Sequence, residues 1–133
     1  MSLYADSSAL LKRYVDEPGS EMADALLRGD PLLVTARHTI VEVRRNLPRL
    51  LDGRRAAEAR AAFARDLDAF ALVELDADTC EAAASIAEAA GVRTLDALHL
   101  AAARRLGDGV TFLTFDARQA QAARALGLTV AGA

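Results

Sequence analysis

The chain has a single cysteine, Cys80, and no tryptophan in 133 residues. A lone cysteine excludes an internal disulfide and suits a reducing compartment, so a cytoplasmic protein is expected. Cys80 falls within an alanine-rich helical stretch and reads as a small core residue. No apolar run approaches the roughly 20 residues of a membrane-spanning helix, and no basic segment followed by an apolar stretch opens the N-terminus. Neither a membrane span nor a secretory signal is expected. Of the 16 basic residues only Lys12 is a lysine, as a GC-rich genome or selection for phosphate contacts would each produce. Aromatic residues are few: Tyr4, Tyr14, Phe63, Phe70, Phe112 and Phe115. A core needs several of them, so base stacking cannot be the main source of any affinity for nucleic acid.

What is present points to a packed globule. The hydrophobic fraction is 53%, which excludes disorder, and the length suits one domain over residues 1–133. The formal net charge of −3 argues weakly against a polyanionic partner, but it is unevenly spread. Between Arg37 and Arg65 eight arginines stand against Glu42, Asp52 and Glu58, a formal charge of +5. That span suits an RNA backbone through counterion release, and equally suits a solvated helical face.

Short apolar runs alternate with helical patterns. Strands are expected over Leu3–Ala5, Leu32–Thr35, Phe70–Leu75, Val110–Thr114 and Leu128–Val130. Helices are expected over Ala9–Val15, with Ser7 and Ser8 as caps, then Ser20–Leu27, His38–Leu51 and Arg54–Asp68. Further helices follow over Asp78–Ala90, Thr94–Leu106 and Ala117–Leu126. Pro31 opens the second strand segment, and Pro48 should kink or break its helix. The alternation predicts a three-layer α/β/α domain with a mostly parallel sheet of about five strands.

Four acids fall where strand gives way to helix or in first helical turns: Asp6, Glu42, Asp96 and Asp116. Each has an ordinary structural reading. Asp6 and Asp116 suit helix caps, Thr39 to Glu42 matches a capping box, and Asp96 favours the positive end of its helix. Taken together, they would line one rim of a parallel sheet, where α/β domains form their ligand crevice. Carboxylates gathered there repel one another unless a cation neutralises them, and oxygen-only ligands favour Mg²⁺ or Mn²⁺. Ser8 could bond Asp6 or a phosphate, and Thr114 could enter the same crevice. His99, three residues beyond Asp96, suits helix packing or support of the acids. His38 carries no assignment.

The segments Tyr4-Ala5-Asp6-Ser7-Ser8-Ala9-Leu10, Thr39-Ile40-Val41-Glu42-Val43, Thr94-Leu95-Asp96-Ala97-Leu98-His99-Leu100-Ala101 and Leu113-Thr114-Phe115-Asp116 resemble, in order, the motifs of PIN-domain ribonucleases. The ending Ala125-Leu126-Gly127-Leu128-Thr129-Val130 is also similar, so the match spans nearly the whole chain. Compact members of this size are typically VapC-type toxins of type II toxin–antitoxin systems. The resemblance implies an Mg²⁺-dependent endoribonuclease (Mn²⁺ being the alternative ion). Asp6, Glu42, Asp96 and Asp116 would be its catalytic and metal-binding residues, with Asp6 and Asp96 the direct ligands. It also implies an RNA substrate, a cognate VapB-type antitoxin and a homodimer. Leu10, Leu11, Tyr14 and Val15 could serve a dimer or antitoxin contact, with core burial as their default. Some relatives carry a further acid two residues past the fourth; here that position is Arg118, so a second tightly held ion is not implied. The alternative is a catalytically idle PIN-like scaffold that binds RNA or protein. A von Willebrand-type adhesion module would want Ser where Leu10 stands, and a haloacid dehalogenase-type phosphatase would want Asp in place of Ser8.

Overall fold

The computed structural model describes residues 2–29 and 32–133, so the strand opening expected at Pro31 lies outside the described residues. Among these residues, five strands form one sheet: β1 (Ser2–Ala5), β2 (Leu33–Ala36), β3 (Ala71–Val73), β4 (Val110–Thr114) and β5 (Thr129–Gly132). Their order is β3-β2-β1-β4-β5 and all pairings are parallel, with Leu3 opposite Leu33 on one side and Thr111 on the other. Among the described residues, seven helices connect them: α1 (Ser7–Tyr14), α2 (Ser20–Gly29), α3 (Thr39–Leu50), α4 (Gly53–Leu67), α5 (Ala77–Ala90), α6 (Thr94–Arg104) and α7 (Ala117–Ala125).

Alternation along the strands sorts the core into two layers. Leu3, Ala5 and Leu113 pack with Leu10, Val43, Leu47 and Phe63 from α1, α3 and α4. Tyr4, Val34 and Phe112 pack with Ile86, Leu100 and Ala123 from α5, α6 and α7. Tyr4 and Phe112, neighbours across β1 and β4, stack with centroids 5.4 Å apart. The expected three-layer architecture is therefore the observed one. Among the described residues no helix is long and apolar enough to cross a membrane.

Three local expectations need correction. Pro48 lies inside α3, which continues to Leu50. It removes one bond in the last turns, and Leu51 N–H still closes on the Leu47 carbonyl at 2.9 Å. Cys80 is exposed rather than in the core, because it faces outward from α5. Asp6, not Ser7 or Ser8, caps α1. Leu10 and Val15 are buried, with Leu11 and Tyr14 packed against the same core, which is the default reading of those four side chains. The arginines from Arg37 to Arg65 are all exposed, mostly along α3 and α4.

Candidate metal and nucleic-acid site

Strand order reverses between β1 and β4, and Asp6 and Asp116 stand just past the carboxyl ends of these two strands. That is the topological switch point where ligands of open parallel sheets bind. The N-termini of α1, α3, α6 and α7 carry Asp6, Glu42, Asp96 and Asp116, so each acid meets the positive end of a helix.

Asp6 is 4% exposed. Its Oδ1 accepts from the Ser8 hydroxyl at 2.6 Å and from Ala9 N–H at 3.1 Å. Burial raises its carboxyl above the ordinary range, and the charge of His99 with the bonds from Ser8, Thr114 and Ala9 offsets this only in part. Ser8 lies 3.4 Å from the Thr114 hydroxyl, which in turn accepts from Asp116 N–H at 3.1 Å. One run of polar contacts thus joins the ends of β1 and β4. Asp116 caps α7 through Gln119 N–H at 3.0 Å.

Glu42 does not form the expected capping box. Thr39 instead accepts a bond from Thr35 at 2.7 Å, and His38 at the N-cap supplies no side-chain cap. The freed Glu42 carboxylate lies 2.7 Å from His99 Nε2 and 3.6 Å from His38 Nε2. His99 Nδ1 is 2.7 Å from the buried Tyr4 hydroxyl. With Tyr4 donating to Nδ1, His99 donates through Nε2 to Glu42, and both bonds are satisfied. Burial, and the negative charges of Asp6 and Glu42, keep the Tyr4 hydroxyl protonated well above its ordinary range. Burial also pushes the Glu42 carboxyl up, but the bond and charge of His99, with help from His38 and Ser7, outweigh it and hold it low. Burial and the neighbouring His99 lower His38 to about 4, so it is neutral near pH 7. Its Nε2 meets the Leu95 carbonyl at 3.2 Å.

Asp96 and Asp116 share one guanidinium. Arg93 Nε lies 3.1 Å from Asp96 and Nη2 lies 3.6 Å from Asp116. Those acids, with a smaller contribution from Glu42, raise the already high pKa of Arg93. Gly91, left-handed at φ 65°, ends α5 and turns the chain so that Val92 and Arg93 lead directly into α6.

The sequence-predicted acids therefore share one rim, yet the tight cluster there is different from the expected four carboxylates. Among the described residues, the one group of three whose ligand atoms approach within 4.8 Å is His38, Glu42 and His99. These three can coordinate a divalent metal, and their mixed nitrogen and oxygen donors suit a transition metal. Asp6, Asp96 and Asp116 offer oxygen only, the donor type that a hard divalent cation prefers, but their ligand atoms do not gather within 4.8 Å of one another as those three do. Asp6 is a buried carboxylate with no ion-pair partner among the described residues, and a cationic side chain already sits between the other two. His38 and Arg93 were missed from sequence because nothing in their spacing signals that distant segments bring them here.

The chain belongs to the PIN-domain family, whose model matches residues 3–125. Its fold is similar to that of solved toxin–antitoxin proteins. Mycobacterium tuberculosis VapC20, a Sarcin-Ricin loop cleaving toxin, is 21% identical, with 96% of each chain covered and a TM-score of 0.77. FitAcB from Neisseria gonorrhoeae is 20% identical over 96% of this chain and 95% of that one, with a TM-score of 0.75. DNA-bound VapBC from Salmonella typhimurium is 11% identical over 98% and 97%, with a TM-score of 0.71. No curated protein sequence matches the chain.

Proposed function

We propose that this PIN domain is a metal-dependent endoribonuclease, the toxin of a VapBC-type pair, acting on RNA phosphodiesters at the β1–β4 rim. The observation that carries this reading is Asp6: a buried carboxylate at the switch point, with neutral donors only, beside two further acids that share a cation. Asp6, Asp96 and Asp116 would hold Mg²⁺ or Mn²⁺. A divalent cation there supplies Lewis-acid activation of water and neutralises charge on the phosphate oxygens. Ser8 fixes the Asp6 rotamer, and His99 aims Glu42 at the rim, where it can orient a water or accept its proton. Exposed arginines that continue along α3 and α4 from the Glu42 end, with Arg44 and Arg45 unpaired by any acid among the described residues, favour an RNA backbone. The DNA-bound VapBC relative and a solved toxin–antitoxin complex support a protein partner for this chain, a VapB-type antitoxin; a homodimer in the cytoplasm is part of the same proposal.

A second reading has its own support. Glu42 is bound to His99, and Arg93 already neutralises Asp96 and Asp116, so the rim is satisfied as it stands. A catalytically idle scaffold that binds RNA or protein would keep that arrangement. The two readings part on one experiment: incubate the purified chain with single-stranded RNA in Mg²⁺, Mn²⁺ or EDTA, beside Asp6→Asn and Asp96→Asn. The nuclease reading expects metal-dependent cleavage that falls by about 100-fold or more in either variant. Equal cleavage by a variant that melts like the parent, or none by the parent, ends it and leaves the scaffold.

A further inference from the structure

Arg93 and Asp96 form a wall between two clefts. The first, of about 330 Å³, is bounded on its other side by Glu42, Thr94 and Leu95 and belongs to the site above. The second, of about 430 Å³, runs between the end of α5 at Gly91 and the outer side of α7, where the exposed Gln121 and Ala125 leave it open to solvent. Val92 and Ala122 give it a short apolar floor. Its two walls are tied together, since Gln119 Nε2 on α7 donates to the Asp96 carbonyl on α6 at 3.1 Å. A cleft of this size falls within the range of small-ligand sites, roughly 300–1,000 Å³.

Each wall carries an arginine where its own helix disfavours one. Arg93 is the N-cap of α6, a position at which Ser, Thr, Asp or Asn would bond the free N–H groups, and its side chain makes no such bond. Arg118 is the second residue of α7. A cation in a first turn opposes the helix dipole, whereas an acid there would be stabilising. Neither guanidinium is therefore accounted for by its helix. Arg93 reaches Asp96 at 3.1 Å and Asp116 at 3.6 Å, and exposed pairs of this kind contribute little and exchange readily. Arg118 is exposed and has no acidic partner among the described residues. The other charged residue of α7, Arg124, lies outside the cleft and donates to the Ala133 carbonyl at 2.7 Å. Among the described residues the cleft lining sets two arginines against one acid, Asp96, so its net charge is positive.

We propose that the second cleft holds the RNA nucleotide next to the cut, with Arg118 and Arg93 on its backbone phosphates and the apolar floor beneath its ribose and base. Adjacency carries the position: Arg93 and Asp96 line both clefts, so a strand leaving the acid rim on this side enters the second cleft directly. Contacts to phosphate position a strand and read no base, so this cleft is a backbone track in addition to the arginine face of α3 and α4. Its place beside the cut rests on the nuclease reading; the binding of a single strand there does not.

The test is fluorescence anisotropy of the full chain with labelled hexanucleotides rA6 and rU6 in EDTA, where cleavage does not enter, over a salt range of about 50 to 200 mM. Arg118→Ala should weaken both oligonucleotides alike, by about fivefold or more at the low-salt end, and lower the salt slope by about 0.7 to 1. Gln121→Glu adds a negative charge to the cleft wall without touching either arginine, and should weaken both by a similar factor. Arg124→Gln removes the same charge from α7 outside the cleft and should stay within about twofold of the parent. All three positions are exposed, so each variant should melt like the parent. No binding by the parent, binding within twofold of it in Arg118→Ala or Gln121→Glu, or an equal loss in Arg124→Gln overturns the cleft. A loss confined to the two cleft variants, in a chain that does not cleave RNA with Mg²⁺, would sink the nuclease reading alone. Cleavage by the parent with unchanged RNA binding in Arg118→Ala would sink the cleft alone.

Discussion

The two halves of the acidic rim are held by different chemistry. On one half, Glu42 is fixed by buried imidazoles: the His99 side chain is 2% exposed and itself anchored by Tyr4. On the other, Asp96 and Asp116 are bridged by Arg93, whose side chain is 76% exposed. Buried bonded pairs hold one geometry because breaking them strands a polar group away from water. Exposed ion pairs are screened and exchange partners at little cost. One half of the rim is therefore built in place, and the other is free to trade its guanidinium for a different cation or a phosphate.

The comparison breaks most visibly at His99. Replacing it in His99→Leu strands both the Tyr4 hydroxyl and the Glu42 carboxylate, and should cost about 2–4 kcal/mol by urea unfolding. If the variant unfolds at the parent's urea midpoint, the buried half is not the rigid one.

His38 gives the next largest effect, visible in the pH dependence of stability. Its folded pKa of about 4 lies below the ordinary histidine value near 6.5, so the unfolded chain binds the proton first. The stability held by neutral His38 is fully present above pH 6.5 and is lost as pH falls toward about 4. His38→Gln should flatten that part of the profile, by up to about 3 kcal/mol. A parallel profile for parent and variant would remove His38 as a titrating element.

Asp6 has the opposite sign. Its carboxyl is raised by burial, so the folded chain binds the proton first and gains stability as pH falls through the folded pKa toward the unfolded one. In EDTA at pH 7, Asp6→Asn should therefore melt a few degrees higher than the parent, while keeping the oxygen that caps Ala9 N–H. A lower melting temperature would mean that the charge is already compensated.

The smallest effect belongs to Arg93. Arg93→Gln should leave the melting temperature unchanged, because the pair is exposed, yet tighten Mn²⁺ binding by roughly two- to fivefold in titration calorimetry by removing a competing cation. Weaker Mn²⁺ binding in the variant would show that the guanidinium supports the site rather than competes for it.

Much of the fold was legible because it is written locally. Alternating apolar strands and capped helices predicted the parallel three-layer domain, and the boundaries of β4 and α7 were placed within a residue. The acids at Asp6 and Asp116 were legible for the same reason, since a strand that ends in a capping acid marks the carboxyl edge. Glu42 was legible as a candidate, but its partner was not. Thr39 to Glu42 has capping-box spacing, and only the approach of Thr35 on β2 takes up the Thr39 hydroxyl and releases Glu42 toward His99. Cys80 misled for a related reason: an alanine-rich helix does not declare which side faces the sheet.

The sequence by itself determined the alternation of elements, the two apolar layers and the family, because periodicity, caps and ordered motifs depend on near neighbours along the chain. Only the tertiary structure decided that Glu42 is grasped by histidines 57 and four residues away, that Arg93 spans Asp96 and Asp116, and that Arg93 and Arg118 line one cleft. Those are contacts between helix ends brought together by strand order, and strand order is a property of the whole packed sheet rather than of any segment within it.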